Sequence, residues 1–304
     1  MITRRQFFRW LATFGAAGVL AGAYGMFETF WRPKITRYDV RPARWPAGFE
    51  LTMAVLADIH ACHPWMPPER IRTIVETTNA LGTDLVLLLG DYMAGHRYVT
   101  DYVPASEWAG VLGGLQAPLG VHAILGNHEW WSDKAVQRSR EGLPASKGAL
   151  EAAGIPVYHN DVVRLAKHGK PFWLAGLGDQ VAFFASRRLY PGRRYGVDDL
   201  DGTLAKVTDD APVILLAHEP DIAVRVPQRV ALTLSGHTHG GQLRLFGWSP
   251  VVPSRYGNRF AYGHMREPCE LIVSGGLGCS YLPLRIGVPP EIVVVTVRGG
   301  GATA

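Results

Sequence analysis

Short apolar runs of strand length recur along the chain and are separated by polar or glycine-rich segments. Residues 50–57 form one run, residues 84–89 (DLVLLL) form an almost wholly apolar second one, and residues 121–125 form a third. Runs of this kind are typical of strands that are covered on both faces of a sheet. Helical patterns at residues 67–82 and 146–154 lie between and after them. The first half therefore predicts alternating strands and helices.

The second half of the chain contains more strand-like runs than helical ones. They are residues 172–176, 213–217, 231–234, 270–273 and 292–297. Early β-α-β units followed by further strands predict an α/β fold, with two stacked, mixed or mostly parallel sheets flanked by helices. We expect residues 45–304 to form one domain.

The N-terminus has a charged start followed by an apolar stretch. Arg4 and Arg5 precede Phe7 and Phe8, and residues 10–27 are mostly apolar. This order is the layout of a signal sequence, and the paired arginines resemble the bacterial twin-arginine export signal. It predicts that the twin-arginine export machinery carries the chain to the periplasm or to the outer face of the cytoplasmic membrane. The alternative is an ordinary membrane anchor or a buried helix.

Cleavage of this leader stays open. The tripeptide Ala21-Gly22-Ala23 offers a cleavage site, but it lies inside the apolar stretch. The segment Trp31-Arg32-Pro33-Lys34 is an aromatic and basic border of the kind found at membrane interfaces. A released protein and one tethered to the membrane surface are both consistent with residues 1–44 as signal, tether and linker.

The positive charge of the chain is concentrated in this leader. The net charge is +5 over 304 residues, but residues 1–44 alone hold eight basic and two acidic residues. Residues 45–304 hold 23 basic and 24 acidic residues and are close to neutral. A neutral domain lacks a general footprint for a polyanion, so we expect no nucleic-acid partner.

The chain has three cysteines, Cys62, Cys269 and Cys279. This small, odd number excludes a disulfide scaffold. One bridge, between Cys269 and Cys279, stays open in an oxidising compartment.

Five short polar motifs each follow one of the apolar runs. They are Asp58-Ile59-His60, Gly90-Asp91, Gly126-Asn127-His128-Glu129, Ala217-His218-Glu219 and Gly236-His237-Thr238-His239. Because α/β sheets place their sites just past the carboxyl ends of strands, we expect the motifs to converge. Asp58 and His60 are two residues apart, so their side chains point the same way on an extended segment. Carboxylate, amide and imidazole donors suit a divalent ion such as Mn, Fe or Zn.

In this order, the motifs resemble the pattern of the calcineurin-like metallophosphoesterase superfamily: DxH, GD, GNH[DE], a lone His, then GHxH. The resemblance extends from Asp58 to His239 and implies a four-layer sandwich of two sheets between helices. His218-Glu219-Pro220 and the tail from Ser274 to Glu291 are similar to a narrower branch of exported bacterial phosphoesterases, which includes a lipid-processing group.

The resemblance implies a role for each motif residue. Two divalent cations per chain, of open identity, would share a bridging hydroxide that attacks the phosphorus of a phosphoester. The implied ligands are Asp58, His60 and His239 for the first metal, Asn127, His218 and His237 for the second, and Asp91 for both. His128 would protonate the leaving group. Asp58 or Glu129 would orient it, and the sequence does not choose between them.

Several neighbouring residues admit two interpretations. Arg285 either contacts the substrate phosphate or forms a structural ion pair. The histidines that flank the motifs are interpreted as surface or supporting residues: His63, His96 and His122. Three tryptophans either pack in their loops, which is favoured, or line an apolar substrate groove or dock at a membrane: Trp65, Trp130 and Trp131. Four arginines form a solvated basic loop or bind anionic headgroups: Arg187, Arg188, Arg193 and Arg194.

The predicted function is hydrolysis of a phosphomonoester or phosphodiester by a binuclear metallophosphoesterase. Motifs fix the reaction while loops fix the substrate. The tether, the aromatic loops and the branch resemblance favour a membrane phospholipid or glycolipid. The alternative is a catalytically inactive member of the same fold that binds metal or the cell envelope. The complete ligand set and His128 favour the enzyme.

Overall fold

The computed structural model describes residues 3–184 and 195–299 of the chain. The arginine cluster at residues 187–194 lies outside the described residues. The described strands are β1 (Lys34–Val40), β2 (Glu50–Leu56), β3 (Cys62–His63), β4 (Leu85–Leu88), β5 (Asp101–Tyr102), β6 (Val121–Ala123), β7 (Asp161–Lys167), β8 (Lys170–Gly176), β9 (Val213–Leu216), β10 (Val230–Ser235), β11 (Gly263–Met265), β12 (Leu271–Val273) and β13 (Glu291–Arg298).

The helices in the same residues are short, apart from the first. They are α1 (Arg4–Thr29), α2 (Pro68–Asn79), α3 (Ala105–Leu112), α4 (Asn127–Ser132), α5 (Lys134–Ser139), α6 (Ala145–Ala152) and α7 (Leu200–Ala205). Single turns of 3₁₀ helix cover Pro220–Val224, His239–Gly241 and Gly257–Phe260.

The first sheet has the strand order β1-β13-β2-β4-β6. Strands β2, β4 and β6 are parallel to one another, and β13 is antiparallel to β2. All four side chains of β4 are buried, as its apolar run predicts. Because the three parallel strands end at one edge, the polar motifs that follow them lie side by side.

The second sheet has the strand order β11-β12-β10-β9-β8-β7. Its four central strands are parallel, and β11 and β7 are antiparallel edge strands. Strands β9 and β10 lie at its centre, and the fourth and fifth polar motifs follow them. A two-stranded ribbon of β3 and β5 lies apart from both sheets.

Apolar side chains hold the two sheets face to face. Leu87 of β4 and Leu216 of β9 belong to one buried cluster between the sheets. On the outer face of the first sheet, Leu88 packs with side chains of α2, α3 and α6. On the outer face of the second, Leu215 packs with α7 and the Pro220–Val224 turn. Each fully buried aliphatic side chain contributes about 1.5–3 kcal/mol. The predicted α/β architecture of two mixed sheets flanked by helices is confirmed.

Three edge strands of the two sheets were not predicted, and one of them, β11, pairs antiparallel with β12. Strand β1 pairs in parallel with β13 from Lys34 to Val40, so the folded sheet begins inside the segment assigned to a linker at residues 1–44. Strand β7 pairs with β8. Strands β1 and β7 carry charged residues, and apart from the buried Val40 their side chains are exposed or partly buried. Edge strands of this kind lack the continuous apolar run that marks a central strand.

Helix α1 extends the chain away from the sheets. It is the one described helix with the length and apolar composition of a membrane span, and only 6% of its apolar window is buried. Its last turn nevertheless packs on the domain. A Cβ at Gly25 would lie 2.8 Å from Leu284 Cδ1 and 2.9 Å from Ile286 Cγ1, and the Arg285 N–H donates to the Gly25 carbonyl at 3.0 Å.

The three cysteines are free thiols. Cys62 and Cys279 are buried and Cys269 is half-buried. The Cys269–Cys279 bridge that the sequence left open is therefore not formed in this structure.

Candidate metal centre

The five polar motifs converge at the carboxyl ends of β2, β4, β6, β9 and β10. Their side chains form three groups whose potential ligand atoms lie within 4.8 Å of one another. The groups are Asp58 with His60 and His239, His60 with Asp91 and His128, and Asp91 with His218 and His237. All of these residues are buried except His237, which is half-buried. The two sheets thus deliver the predicted residues to one place.

The backbone is strained where these side chains converge. Five non-glycine residues have a left-handed φ: Asp58 (55°), His60 (51°), Asp91 (57°), His237 (67°) and His239 (51°). Such a conformation costs roughly 1–2 kcal/mol for each L-residue. Strain of this kind persists at functional sites because the surrounding structure enforces it. Sequence patterns do not show this feature.

The first group brings together Asp58, His60 and His239. The Nε2 atoms of His60 and His239 lie 3.0 Å apart, and His239 Nε2 lies 3.6 Å from Asp58 Oδ1. His60 Nδ1 lies 2.9 Å from the Met93 carbonyl oxygen. This contact holds the ring so that Nε2 faces the group, as is usual for metal-binding histidines.

The second group brings together Asp91, Asn127, His218 and His237. His218 Nε2 lies 3.1 Å from Asp91 Oδ2, and His237 Nδ1 lies 2.7 Å from Asn127 Oδ1. His218 Nδ1 lies 2.6 Å from the Leu89 carbonyl oxygen, so its Nε2 faces inward. Asn127 is the first residue of α4 and is held at the site by the helix that follows it.

Asp91 lies between the two groups. Its Oδ2 is 3.1 Å from His218 Nε2 and 3.7 Å from His60 Nε2. Its Oδ1 accepts the His128 backbone N–H at 2.9 Å. One carboxylate oxygen therefore faces imidazoles of both groups, which is the position expected of a shared ligand.

The electrostatics of the site favour neutral imidazoles in the first group. Burial and the charge of His128 lower the pKa of His60 to about 3. Burial, with His60 and Arg285, holds the pKa of His239 well below its usual range. A neutral imidazole is the form that binds a divalent cation. Carboxylate, amide and imidazole donors together fit Mn, Fe or Zn.

The carboxylate of Glu129 ties two of the motif loops together. It accepts backbone N–H groups of Gly126 (2.8 Å), Asp91 (2.9 Å), Tyr92 (2.8 Å) and Met93 (3.2 Å). Four donors on one buried carboxylate fix the loop after β4 against the loop after β6. Glu129 is thereby occupied with backbone groups, although the sequence also offered it as the residue that orients His128.

His128 lies at the floor of an open cleft of about 500 Å³ beside the two groups. Its Nε2 is 3.9 Å from Asp91 Oδ2 and 3.3 Å from the Ser280 hydroxyl. The cleft is also lined by His96, Tyr98 and Trp131. Ser280 was not predicted, because a lone serine in a glycine-rich tail carries no signal in the sequence.

Comparison with known proteins places this site in a family. A family model described as calcineurin-like phosphoesterase matches residues 51–241, which is more than half of the chain and spans every motif. The chain belongs to the calcineurin-like phosphoesterase family. The family predicted from the five motifs is thereby confirmed.

Relatives of this phosphoesterase match nearly its whole length. It is 29% identical over 309 residues to YkuE of Bacillus subtilis, an uncharacterized metallophosphoesterase, with 98% of each chain covered. It is 30% identical over 283 residues to an uncharacterized metallophosphoesterase of Aquifex aeolicus, with 93% of this chain and 98% of the relative covered. A transmembrane protein with a metallophosphoesterase domain from Danio rerio is 28% identical over 284 residues, with 90% of this chain and 60% of the relative covered.

The structure corrects the substrate-contact interpretation of Arg285 in this phosphoesterase. Arg285 has no exposed surface. Its guanidinium donates to the carbonyl oxygens of Gly275, Gly278 and Val288 at 2.5 to 2.9 Å and lies 3.2 Å from His239 Nδ1. With its donors used in this way, Arg285 is a support behind His239, and its partners are carbonyls rather than the predicted ion-pair carboxylate.

His96 is more prominent in the structure than in the sequence. It is buried, yet both of its ring nitrogens lack a hydrogen-bond partner among the described residues. Burial, and then the charge of His128, lower its pKa. A buried polar group without a partner costs about 1–3 kcal/mol. Because His96 bears this cost at the wall of the cleft, it is a candidate contact for the substrate. The sequence favoured a supporting role for it.

The other flanking residues divide between packing and the cleft. His122 lies 2.9 Å from the Tyr158 hydroxyl and packs away from the site, as expected. Trp130 packs on Phe183, with ring centroids 5.4 Å apart. Trp131 lines the cleft, and its ring centroid lies 5.2 Å from that of His128. Trp65, the third of the tryptophans singled out in the sequence, packs beside Phe30 at the end of α1, with ring centroids 5.2 Å apart.

Proposed function

We propose that this phosphoesterase holds two divalent cations and hydrolyses a phosphomonoester or phosphodiester. Asp58, His60 and His239 would hold the first cation, and Asn127, His218 and His237 the second. The observation that carries the proposal is the position of Asp91, whose single Oδ2 faces imidazoles of both groups. When bound, the cations would polarise a phosphoryl oxygen and supply a nucleophile at neutral pH.

The residues of the chain would provide the remaining chemistry. His128, at the cleft floor, would place a proton on the leaving oxygen, which is a poor leaving group as a bare alkoxide. The nearby Ser280 hydroxyl and the Asp91 carboxylate would position its ring. Arg285 would keep His239 in place from behind, with no contact to substrate.

His96 would contribute a hydrogen bond to the bound phosphoester. We expect His96→Ala to raise KM about tenfold with little change in kcat, because a hydrogen bond to a charged ligand is worth roughly 1.5–3 kcal/mol and would be made equally in the ground state and the transition state. Steady-state kinetics on a nitrophenyl phosphodiester would measure it. His63→Ala, outside the cleft, is the control. An unchanged KM in His96→Ala would remove His96 from the substrate site.

An assay of the metal-loaded full chain distinguishes the proposed hydrolase from the alternative, an inactive member of the same fold. We would load the protein with Mn²⁺ and measure turnover of a nitrophenyl monoester, a nitrophenyl diester and a panel of phospholipids and glycolipids. Turnover of any of them supports the hydrolase and ranks the substrate classes. A protein that binds the metal and hydrolyses none of them is the inactive, metal- or envelope-binding member.

A membrane phospholipid or glycolipid is the proposed substrate class. Three observations support it: the exposed apolar helix α1, the packing of its last turn on the site's own loop at Leu284 and Ile286, and the relative described as a transmembrane protein. A tether that ends beside the cleft would hold the site near the membrane surface, as a lipid substrate requires.

Export through the twin-arginine route is proposed for the leader. We expect Arg4→Lys combined with Arg5→Lys to abolish appearance of the protein in the periplasm or on the outer face of the cytoplasmic membrane, while the protein retained in the cytoplasm stays folded. Cell fractionation with immunodetection measures this. An ordinary Arg9→Lys change is the control. Normal export of the double variant would assign the leader to a general secretory or anchor route.

A further inference from the structure

A short apolar hairpin projects from the surface near the site. Leu245 and Trp248 pair through backbone hydrogen bonds of 2.9 and 3.0 Å, and Phe246 and Gly247 form its two-residue tip. Phe246 is fully exposed, and both Leu245 and Trp248 are 60% exposed. The neighbouring Val251 is 66% exposed.

A large apolar side chain such as that of Phe246 is unfavourable at this position if only water surrounds it. The φ of Phe246 is 51° and that of Gly247 is 81°. A hairpin turn with two positive φ values favours Asn-Gly, because Asn tolerates the left-handed region and a large side chain does not. Phe246 therefore brings strain and full exposure, with no burial in the described chain to offset them. An apolar phase outside the protein would supply that burial.

The hairpin is continuous with the end of α1. Leu243 pairs with Ile286, and the Arg244 N–H donates to the Ile286 carbonyl at 2.8 Å. Ile286 is one of the two side chains that pack against Gly25 in the last turn of α1. Ile286 therefore contacts both the base of the hairpin and the last turn of α1, the helix that has the composition of a membrane span.

Apolar side chains continue from the hairpin to the cleft. Val251, Leu282 and Leu284 line a cavity of about 180 Å³ that also contacts His239. Tyr281 and Leu282 line both this cavity and the catalytic cleft. We name the exposed set the apolar rim: Leu245, Phe246, Trp248, Val251 and Leu282.

We propose that the apolar rim inserts into the lipid bilayer that α1 enters, with Phe246 deepest, and seats the cleft on the membrane surface. The occupant is a bilayer rather than a protein because the rim adjoins the exposed apolar helix. Phe27, Phe30 and Trp31 at the end of that helix form an exposed aromatic belt of the type found at membrane interfaces. One tether leaves the orientation of the domain free. Two membrane contacts, the helix and the rim, would fix that orientation.

The direct test measures the depth of residue 246 in a bilayer. The full chain carrying Phe246→Cys would be labelled with a polarity-sensitive fluorophore and reconstituted into vesicles of phosphatidylethanolamine and phosphatidylglycerol. Val224→Cys, at an exposed apolar residue outside the rim, is the matched control, and the wild-type chain reports labelling of its native thiols.

The proposal expects a blue-shifted emission at residue 246 and quenching by lipids that carry a nitroxide in the acyl chain. The control label should show neither effect. A label at residue 246 that is unshifted and unquenched, with α1 inserted, would overturn the proposal.

A second variant reports the consequence for turnover, and this arm rests on the proposed function. Phe246→Asn suits the positive φ, so the fold should be as stable as the wild type or more so. We expect its rate on a lipid ester in vesicles to fall about tenfold, as loss of one buried aromatic side chain implies, with an unchanged rate on a soluble nitrophenyl ester. A Phe246→Asn variant whose rates match those of the wild type on both the lipid ester and the soluble ester would overturn the catalytic consequence of insertion. If the wild type is inactive on every ester, the proposed function is rejected. Insertion of the apolar rim is then decided by the depth measurement at residue 246 alone.

Discussion

Asp91→Asn should abolish turnover and empty both halves of the proposed centre. The change keeps the size of the side chain and leaves an oxygen able to accept the His128 N–H, which in the wild type is 2.9 Å from Asp91 Oδ1. It removes the negative charge that faces His60 and His218. We expect turnover to fall by at least about a thousandfold, since the charge stabilisation that such a centre supplies amounts to several kcal/mol.

The matched control is Asp84→Asn at the other end of the same strand. Asp84 precedes β4, accepts the Thr52 N–H at 2.7 Å and pairs with Lys167 at 2.6 Å, far from the motifs. Its loss should alter stability slightly and leave metal content and turnover unchanged. Metal analysis and single-substrate kinetics on both variants make the comparison. Full metal content and near-normal turnover in Asp91→Asn would contradict the shared-ligand role.

His128→Asn should slow turnover by about 10² to 10⁴-fold while metal content and fold are retained. The reason is that a proton donor at the cleft floor would be lost, whereas the ligand groups would stay complete. The loss should be large for an alkyl phosphodiester and small for a nitrophenyl ester, because nitrophenolate leaves without protonation. Rates on both substrates, taken after metal analysis, give the answer.

The rival role for His128 is positioning or electrostatic stabilisation of the phosphate. That role predicts equal losses on good and poor leaving groups, so equal losses would reject proton donation. Ser280→Ala provides a graded comparison, since it removes only the hydroxyl 3.3 Å from His128 Nε2. It should show the same leaving-group trend with a smaller loss.

The central sheet strands and the donor residues could be predicted because their signals are local. Strand β4 is buried on both faces, so its sequence is continuously apolar. Asp91 and Asn127 follow such strands, and parallel strands end at one edge. The chemistry of the donors then indicated a cation, and the order of the motifs indicated the family.

Other features depend on tertiary contacts that no local pattern records. Strand β1 is exposed at the sheet edge and carries charged residues, so it was assigned to a linker. Nothing in the sequence shows which way the guanidinium of Arg285 points, and its carbonyl partners come from a loop folded around it. The same holds for His96, whose partnerless nitrogens are visible only once the cleft is formed.

The most direct test of the central claim is the metal content of the full chain. The protein would be loaded with Mn²⁺, freed of unbound ion and analysed for metal per chain by elemental analysis. The proposed pair of ligand groups around Asp91 predicts about two ions per chain, with His237→Ala reduced to about one. A wild-type protein that retains no ion, or never more than one at saturating Mn²⁺, would contradict the dinuclear centre.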